Sequence, residues 1–169
     1  MGLKVFNTLS RSIEPFVPLN PAEKKVGIYC CGPTVHDFAH IGNFRTFVFA
    51  DIVRRHLTFR GFDVRHVMNI TDVEDKIIRR VNESGKSLAE FTGEFEQAFF
   101  ADLKALGCQM PHDRPRATAF IDPIIKLIKK LESTDIAYKA NDGSVYFSID
   151  KYQEAGNKYG QLLNINLNE

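Results

Sequence analysis

Cysteine is scarce in this chain and odd in number, only Cys30, Cys31 and Cys108 among 169 residues. Such a set cannot build a disulfide scaffold and points to a reducing compartment. Cys30 and Cys31 are neighbours, so an extended backbone sends them to opposite faces. A Cys-x-x-Cys redox pair is thereby excluded, and at most one of the two thiols faces a given site. Charge of one sign is also missing, since the formal net charge is +1. A nucleic-acid partner would therefore need a local patch rather than a basic chain. No apolar run approaches the roughly 18 residues that span a membrane, and MGLKVFNTLS lacks a signal-peptide core. The chain opens Met-Gly, but Val5 to Leu9 reads as a strand, which argues against a lipidated leader. Internal repeats and low-complexity tracts are absent too, which removes solenoids and linkers from consideration.

What is present is ordinary for a globular domain with a core: 44% hydrophobic and 25% charged residues. Lys4 to Leu9 and Phe16 to Leu19 read as two short strands around a polar turn. Lys25 to Cys31 is a compact apolar run that reads as a buried strand and stops at Gly32-Pro33. A helix is expected from Ile41 to Arg60. Val48, Ile52 and Phe59 lie on one side of it and Phe49, Val53 and Leu57 on another, so a broad arc should be covered. Gly61 stands where a C-cap belongs.

Phe62 to Ile70 reads as the next strand. Thr71 with Glu74, and Ser87 with Glu90, are capping-box signals, each opening a helix; the first ends near Gly85 and the second near Gly107. The alternation of strand and helix predicts an α/β fold, a Rossmann-like parallel sheet with flanking helices. Beyond GCQMPHDRPRA the character changes. Asp122-Pro123 starts an amphipathic helix, and Asn141-Asp142-Gly143 marks a hairpin. These boundaries predict two parts, residues 1–118 and residues 119–169.

The segment YCCGPTVHDFAHIGNFR, Tyr29 to Arg45, concentrates the chemistry. It reads as strand, tight turn and helix start, with Cys31 at the carboxyl end of the strand, where doubly wound sheets bind ligands. Free amides and the helix dipole near His40-Ile41-Gly42-Asn43 favour a phosphate. Gly42 opens the backbone to a ligand. His40 and Asn43 can donate to phosphate oxygens. Taken alone, the same four residues also fit a plain helix cap.

In combination the motifs resemble cysteinyl-tRNA synthetases, a subgroup of class I aminoacyl-tRNA synthetases. CGPTVHDFAHIGNFRTF is similar to their first signature, NITDVEDKII to their Asn-x-Thr-Asp-x-Asp-Asp-Lys-Ile segment, and PRATAFI to their Pro-Arg-Ala-Thr run. GSVYFSI and KVFNTLSR are family-like as well, so the resemblance covers nearly the whole chain. Two departures stand out: Glu74 replaces the first of the paired Asp residues, and Asn43 stands for the second His of the His-Ile-Gly-His step.

The resemblance implies that Cys31 is a zinc ligand and that the zinc takes the thiolate of substrate cysteine, a soft bond that serine cannot match. It implies Gly32, Thr34 and Thr71 in the cysteine pocket, with Thr71 equally readable as a helix N-cap, and His40, Gly42 and Asn43 in ATP binding. It implies Zn2+, ATP with Mg2+, tRNA(Cys) as partner, a cytoplasmic monomer, and chemistry without a covalent enzyme intermediate. The remaining zinc ligands (a Cys, a His and a Glu) and a Lys-Met-Ser-Lys-Ser loop are not found here and belong downstream in the family. The chain therefore reads as an N-terminal portion of the catalytic domain plus the start of a connective insertion, inactive by itself. Two alternatives stay open: a related ligase joining cysteine to an amino sugar in mycothiol synthesis, and a non-catalytic stand-alone fragment. Cys30 and Cys108 read as core residues, and Arg114 and Arg116 as a solvated loop.

Overall fold

The computed structural model describes residues 2–163. Two compact units divide it, Pro18–Phe120 on one hand and residues 1–17 with 121–169 on the other. Residues 1–17 cluster with the segment from residue 121, whose end from residue 164 lies outside the described residues.

The Pro18–Phe120 unit is built on parallel pairing. Strand β3 (Lys25–Cys30) runs parallel to β4 (Asp63–Met68), in register from Lys25 opposite Asp63 to Cys30 opposite Met68. Helix α1 (Ile41–Phe59) lies between them in the chain. Helices α2 (Asp75–Ser84) and α3 (Leu88–Ala105) follow. A third strand-like segment then runs parallel to β4 on its other side. His112 N donates to His66 O at 2.8 Å, Met68 N to Asp113 O at 3.0 Å and Ile70 N to Pro115 O at 2.8 Å. No strand pattern announces this segment, because Pro111 and Pro115 interrupt it. Pro lacks an N–H and is tolerated where a strand needs none on that side.

With β4 in the middle, its alternate residues Val64, His66 and Met68 are buried, as is Ile70 just beyond. The core gathers Phe44, Phe47, Met68, Phe99 and Leu103, with Cys108 packed against it. Phe99 stacks on Phe44 at 5.4 Å between centroids and meets Phe47 edge-on at 4.8 Å. Phe44, Phe47, Ala50 and Leu57 form one narrow buried stripe on α1. The broad covered arc expected there is a correction. Phe49, Ile52 and Phe59 are exposed, because the core of this unit meets α1 along a single line.

Polar residues of α1 also fix the chain after α3. The buried Asp51 accepts from Gln109 N at 2.9 Å and from Arg55 at 2.6 Å, while Arg54 donates to Met110 O at 2.8 Å. Helix α3 begins with the expected capping box, Glu90 N bonding to Ser87 Oγ and Ser87 N to the Glu90 carboxylate. Gly85 and Gly107 take the left-handed conformation that ends each helix.

In the other unit, β1 (Lys4–Asn7) pairs antiparallel with β2 (Ser12–Pro15). The expected second strand at Phe16–Leu19 is corrected to Ser12–Pro15. Arg11 adopts positive φ and closes the turn early, and Pro18 removes a donor from the expected strand. Helix α4 (Ile121–Ser133) precedes the predicted hairpin, β5 (Ala137–Lys139) with β6 (Val145–Phe147), and a short α5 (Ile149–Glu154). No helix among the described residues is long and apolar enough to cross a membrane.

Candidate functional site

Beyond β3 and β4 the two chains stay together, and the sequence motifs meet there. Thr71 N donates to Pro33 O at 3.0 Å, and Val35 N donates back to Thr71 O at 3.1 Å. The expectation that Thr71 caps α2 is therefore corrected. The helix starts at Asp75 with Glu74 as its N-cap, which makes no side-chain cap bond. Thr71 has both backbone groups committed to the ladder with residues 33–35.

Asn69 ties this corner together. Its Oδ1 accepts from Gly32 N at 3.0 Å and from the Tyr29 hydroxyl at 3.0 Å, and its Nδ2 donates to Thr71 Oγ1 at 3.2 Å. Gly32 passes so close that an added Cβ would lie 1.7 Å from the Asn69 carbonyl oxygen. The glycine is required by this approach, not by φ. Sequence reasoning quoted Asn69 inside a motif but gave it no role. The signal was the pairing of an amide side chain with a facing Gly-Pro turn.

The link from β3 to α1 is longer than the tight turn expected, running over residues 31–40. The turn at His36 and Asp37 is pinned to α2 by Arg80, which donates to His36 O at 2.6 Å and lies 3.0 Å from the Asp37 carboxylate. Donation from Phe38 N, and then from Arg80, holds the Asp37 carboxyl below its ordinary value.

The start of α1 is a reciprocal cap. Gly42 N donates to His40 Nδ1 at 3.1 Å, and His40 N donates to Asn43 Oδ1 at 3.0 Å. An imidazole that accepts at Nδ1 carries its proton at Nε2. The cap thereby fixes His40 as an Nε2–H donor, and it leaves Asn43 Nδ2 free to donate. The plain-cap reading and the ligand reading are compatible, because capping uses only one side of each group. Gly42 serves this arrangement: a Cβ there would sit 2.9 Å from His40 Cε1 and 3.0 Å from Nδ1.

These residues line a cavity of about 540 Å3, walled by Gly32 to His40, Gly42, Asn43 and Thr46, with Phe47, Phe95 and Phe99 behind. Five of the seven expected site residues, Gly32, Thr34, His40, Gly42 and Asn43, share it. The other two stand beside it: Thr71 is bridged to Thr34, and Cys31 precedes Gly32 in the chain. Cys31 is exposed and Cys30 half-buried. Burial, and then the neighbouring Cys31, pushes the Cys30 thiol up, so Cys30 is a protonated, structural thiol.

A zinc ion needs about four donors. Among the described residues no group of three His, Cys, Asp or Glu side chains could hold a metal. The single exposed thiol of Cys31 does not by itself make a zinc site.

The third motif packs against the second. Asp72, buried, accepts from Thr118 N at 2.9 Å and Thr118 Oγ1 at 2.5 Å. Arg114 and Arg116 are exposed, as the solvated-loop reading expects, but each has a partner on α3. Arg116 pairs with Glu96 at 2.8 Å, and Arg114 lies 5.0 Å over the Phe100 ring. Both anchor the third parallel segment to α3.

The family described as tRNA synthetases class I (C) catalytic domain matches residues 17–169. A cysteine–tRNA ligase of Koribacter versatilis is 48% identical over 156 residues, 92% of this chain and 31% of its own length. Relatives of the same name from Chlamydia muridarum and Aeropyrum pernix are each 46% identical, over 100% and 95% of this chain. They are covered over only 34% and 33% of their own lengths, so the chain spans about a third of the curated relatives it matches.

Proposed function

This chain belongs to the class I (C) tRNA synthetase catalytic-domain family, and on that premise we propose that it is part of an enzyme that activates cysteine with ATP and transfers it to tRNA(Cys). The observation that carries the proposal is the reciprocal His40–Asn43 cap facing the same cavity as Gly32 and Thr34. It presents two side-chain donors at the positive end of a 19-residue helix.

In the proposed reaction the cysteine carboxylate attacks the α-phosphate of ATP, giving cysteinyl-adenylate and pyrophosphate. A ribose hydroxyl of the tRNA then takes the acyl group from the adenylate, and the acyl–phosphate bond breaks with release of AMP. Charge gathers on the phosphate oxygens during the first step. The Nε2–H of His40 and the Nδ2–H of Asn43 meet it without reorganising, because the cap has already fixed them. Gly32, Thr34 and Thr71 form the proposed amino-acid corner. The Thr71 hydroxyl accepts from Asn69 and keeps its own proton for a ligand. Positioning supplies most of the rate, with no covalent enzyme intermediate.

Mg2+ accompanies the triphosphate in this reading, and Cys31 is one ligand of a zinc whose other ligands come from outside the chain. The working enzyme is a cytoplasmic monomer, and the chain alone does not turn over.

The test is cysteine-dependent ATP–pyrophosphate exchange. It compares this chain with a chimera in which the chain replaces the matching third of the Koribacter versatilis relative. Exchange and tRNA charging by the chimera, with silence from the short chain, are the expected results. Exchange without tRNA charging would favour the amino-sugar ligase. Exchange by the short chain, or stoichiometric tight zinc on it, would refute the need for outside residues.

A further inference from the structure

We propose that the cleft between α2 and the His36–Asp37 turn binds phosphodiester groups of a single RNA strand as its end enters the nucleotide cavity. The inference rests on the RNA-charging function proposed above and adds a site to it. Lys76, Arg79 and Arg80 fall at the i, i+3 and i+4 positions of α2 and so share one face. Ile77, fully buried, anchors the helix. The three cations, with His36 and Glu83, line a cavity of about 380 Å3.

Their charges are not in the same state. Arg80 is held by the His36 carbonyl and the Asp37 carboxylate, so its charge is largely answered. Lys76 and Arg79 are exposed, and among the described residues neither makes a hydrogen bond or ion pair. Glu83 is the only carboxylate among the lining residues. The cleft therefore presents two uncommitted cations beside a fixed third. No Phe, Tyr or Trp lines it, and its cations outnumber its one carboxylate, so it suits phosphate rather than base.

Its position completes the argument. His36 lines this cleft and also the cavity of about 540 Å3 that holds the capped start of α1. A strand whose terminal nucleoside occupies the larger cavity passes His36 and brings its preceding phosphates to Lys76 and Arg79. With a net charge of only +1, the chain has no general affinity for nucleic acid, so a contact of this kind has to be local.

The experiment is a fluorescence-anisotropy titration of this chain with a short labelled single-stranded RNA ending in CCA, across a salt series. Each phosphate contact on a single strand contributes about 0.7 to the slope of log K against log salt. Lys76→Ser with Arg79→Ser should therefore reduce the slope by about 1.4 and weaken binding about 25-fold at about 0.1 M salt. Lys129→Ser with Lys130→Ser, on α4, should leave both unchanged. An equal loss in that control means diffuse attraction and overturns the proposal, as does an unchanged slope in the α2 variant. ATP binding should survive the α2 substitutions; if it falls with them, the cleft holds the nucleotide's own triphosphate and the proposal fails. In the chimera, the same variant should keep cysteine-dependent exchange and raise the KM for tRNA. A chimera without exchange would sink the synthetase reading, while the RNA titration would still decide the cleft.

Discussion

Gly32→Ala is the substitution to make first, because the structure assigns it a cost and a mechanism. The new Cβ would stand 1.7 Å from the Asn69 carbonyl oxygen and 2.9 Å from Met68 Cγ, where ordinary contact begins at 3.4 Å. The obstacle is backbone, so the two chains must part by roughly that difference. Three bonds cross the gap: Gly32 N to Asn69 Oδ1 at 3.0 Å, Thr71 N to Pro33 O at 3.0 Å, and Val35 N to Thr71 O at 3.1 Å. Such a separation takes all three beyond bonding range. At about 1 kcal/mol net for each bond, and about 1 kcal/mol or more for overpacking, the loss is about 4 kcal/mol. That is a large part of the stability of an ordinary domain, about 5–15 kcal/mol. At about 2–4 °C per kcal/mol for a chain of this size, Tm should fall by on the order of 10 °C. Circular dichroism melting checks the size, and amide exchange at Val35 and Thr71 checks the place. Gly27→Ala is the control: it lies in β3 with nothing within 4 Å of an added Cβ. It should raise stability by about 0.5–1 kcal/mol. Equal melting of Gly32→Ala and Gly27→Ala would refute the claim that close approach, not turn flexibility, requires the glycine.

Gly42→Ala should separate stability from function. Helix propensity favours Ala by about 1 kcal/mol, offsetting a cap loss of about 1 kcal/mol, so Tm stays while the displaced His40 ring lowers the chimera's exchange rate; a normal rate would show that the ring position is immaterial. Asp72→Ala removes both acceptors of Thr118 and should cost about 2–3 kcal/mol in urea unfolding, with a smaller added loss when Thr118→Val is already present. His66 is 3% exposed with neither ring nitrogen bonded. Burial, then the charges of Arg54 and His112, pushes its pKa down, against a smaller pull from Asp51. The unfolded chain therefore takes up the proton first, near pH 6.5. Stability present above that pH is lost as pH falls through the folded value, at no more than about 1.4 kcal/mol per pH unit for one proton. His66→Leu should flatten that part of the urea-unfolding profile, and an unchanged slope would assign it to other groups.

Elements with strong local signals were legible in the sequence. The Ser87–Glu90 box, the left-handed glycines at Gly85 and Gly107, and the Asn141–Gly143 hairpin each depend on residues close in the chain. Failures came where a distant partner decides. Thr71 and Glu74 have the spacing of a capping box, but residues 33–35 take the backbone of Thr71 into a parallel ladder. The three bonds between these segments outweigh one cap. The third parallel segment escaped for the opposite reason. Pro111 and Pro115 deny it a strand pattern, yet β4 needs donors and acceptors on both edges and takes them from residues 112–117. On α1, periodicity located the helix but not its buried line, since Phe49 and Phe59 are as apolar as Phe44 and Phe47.

The candidate site shows the same division at higher resolution. His40 and Asn43 were readable because helix starts have a local chemistry. Their readiness to bind was not, because it follows from the tautomer that Gly42 N imposes on His40. Asn69 lay further out of reach. One amide side chain joins the Gly-Pro turn, Tyr29 and Thr71, and no spacing rule connects residues 40 apart in sequence. A half-buried amide with bonds on both its oxygen and its nitrogen tolerates few substitutes. Asp at this position would keep the acceptor for Gly32 N and lose the donor to Thr71. Asn69 thus ties the second signature segment to Gly32, where the first begins to line the cavity.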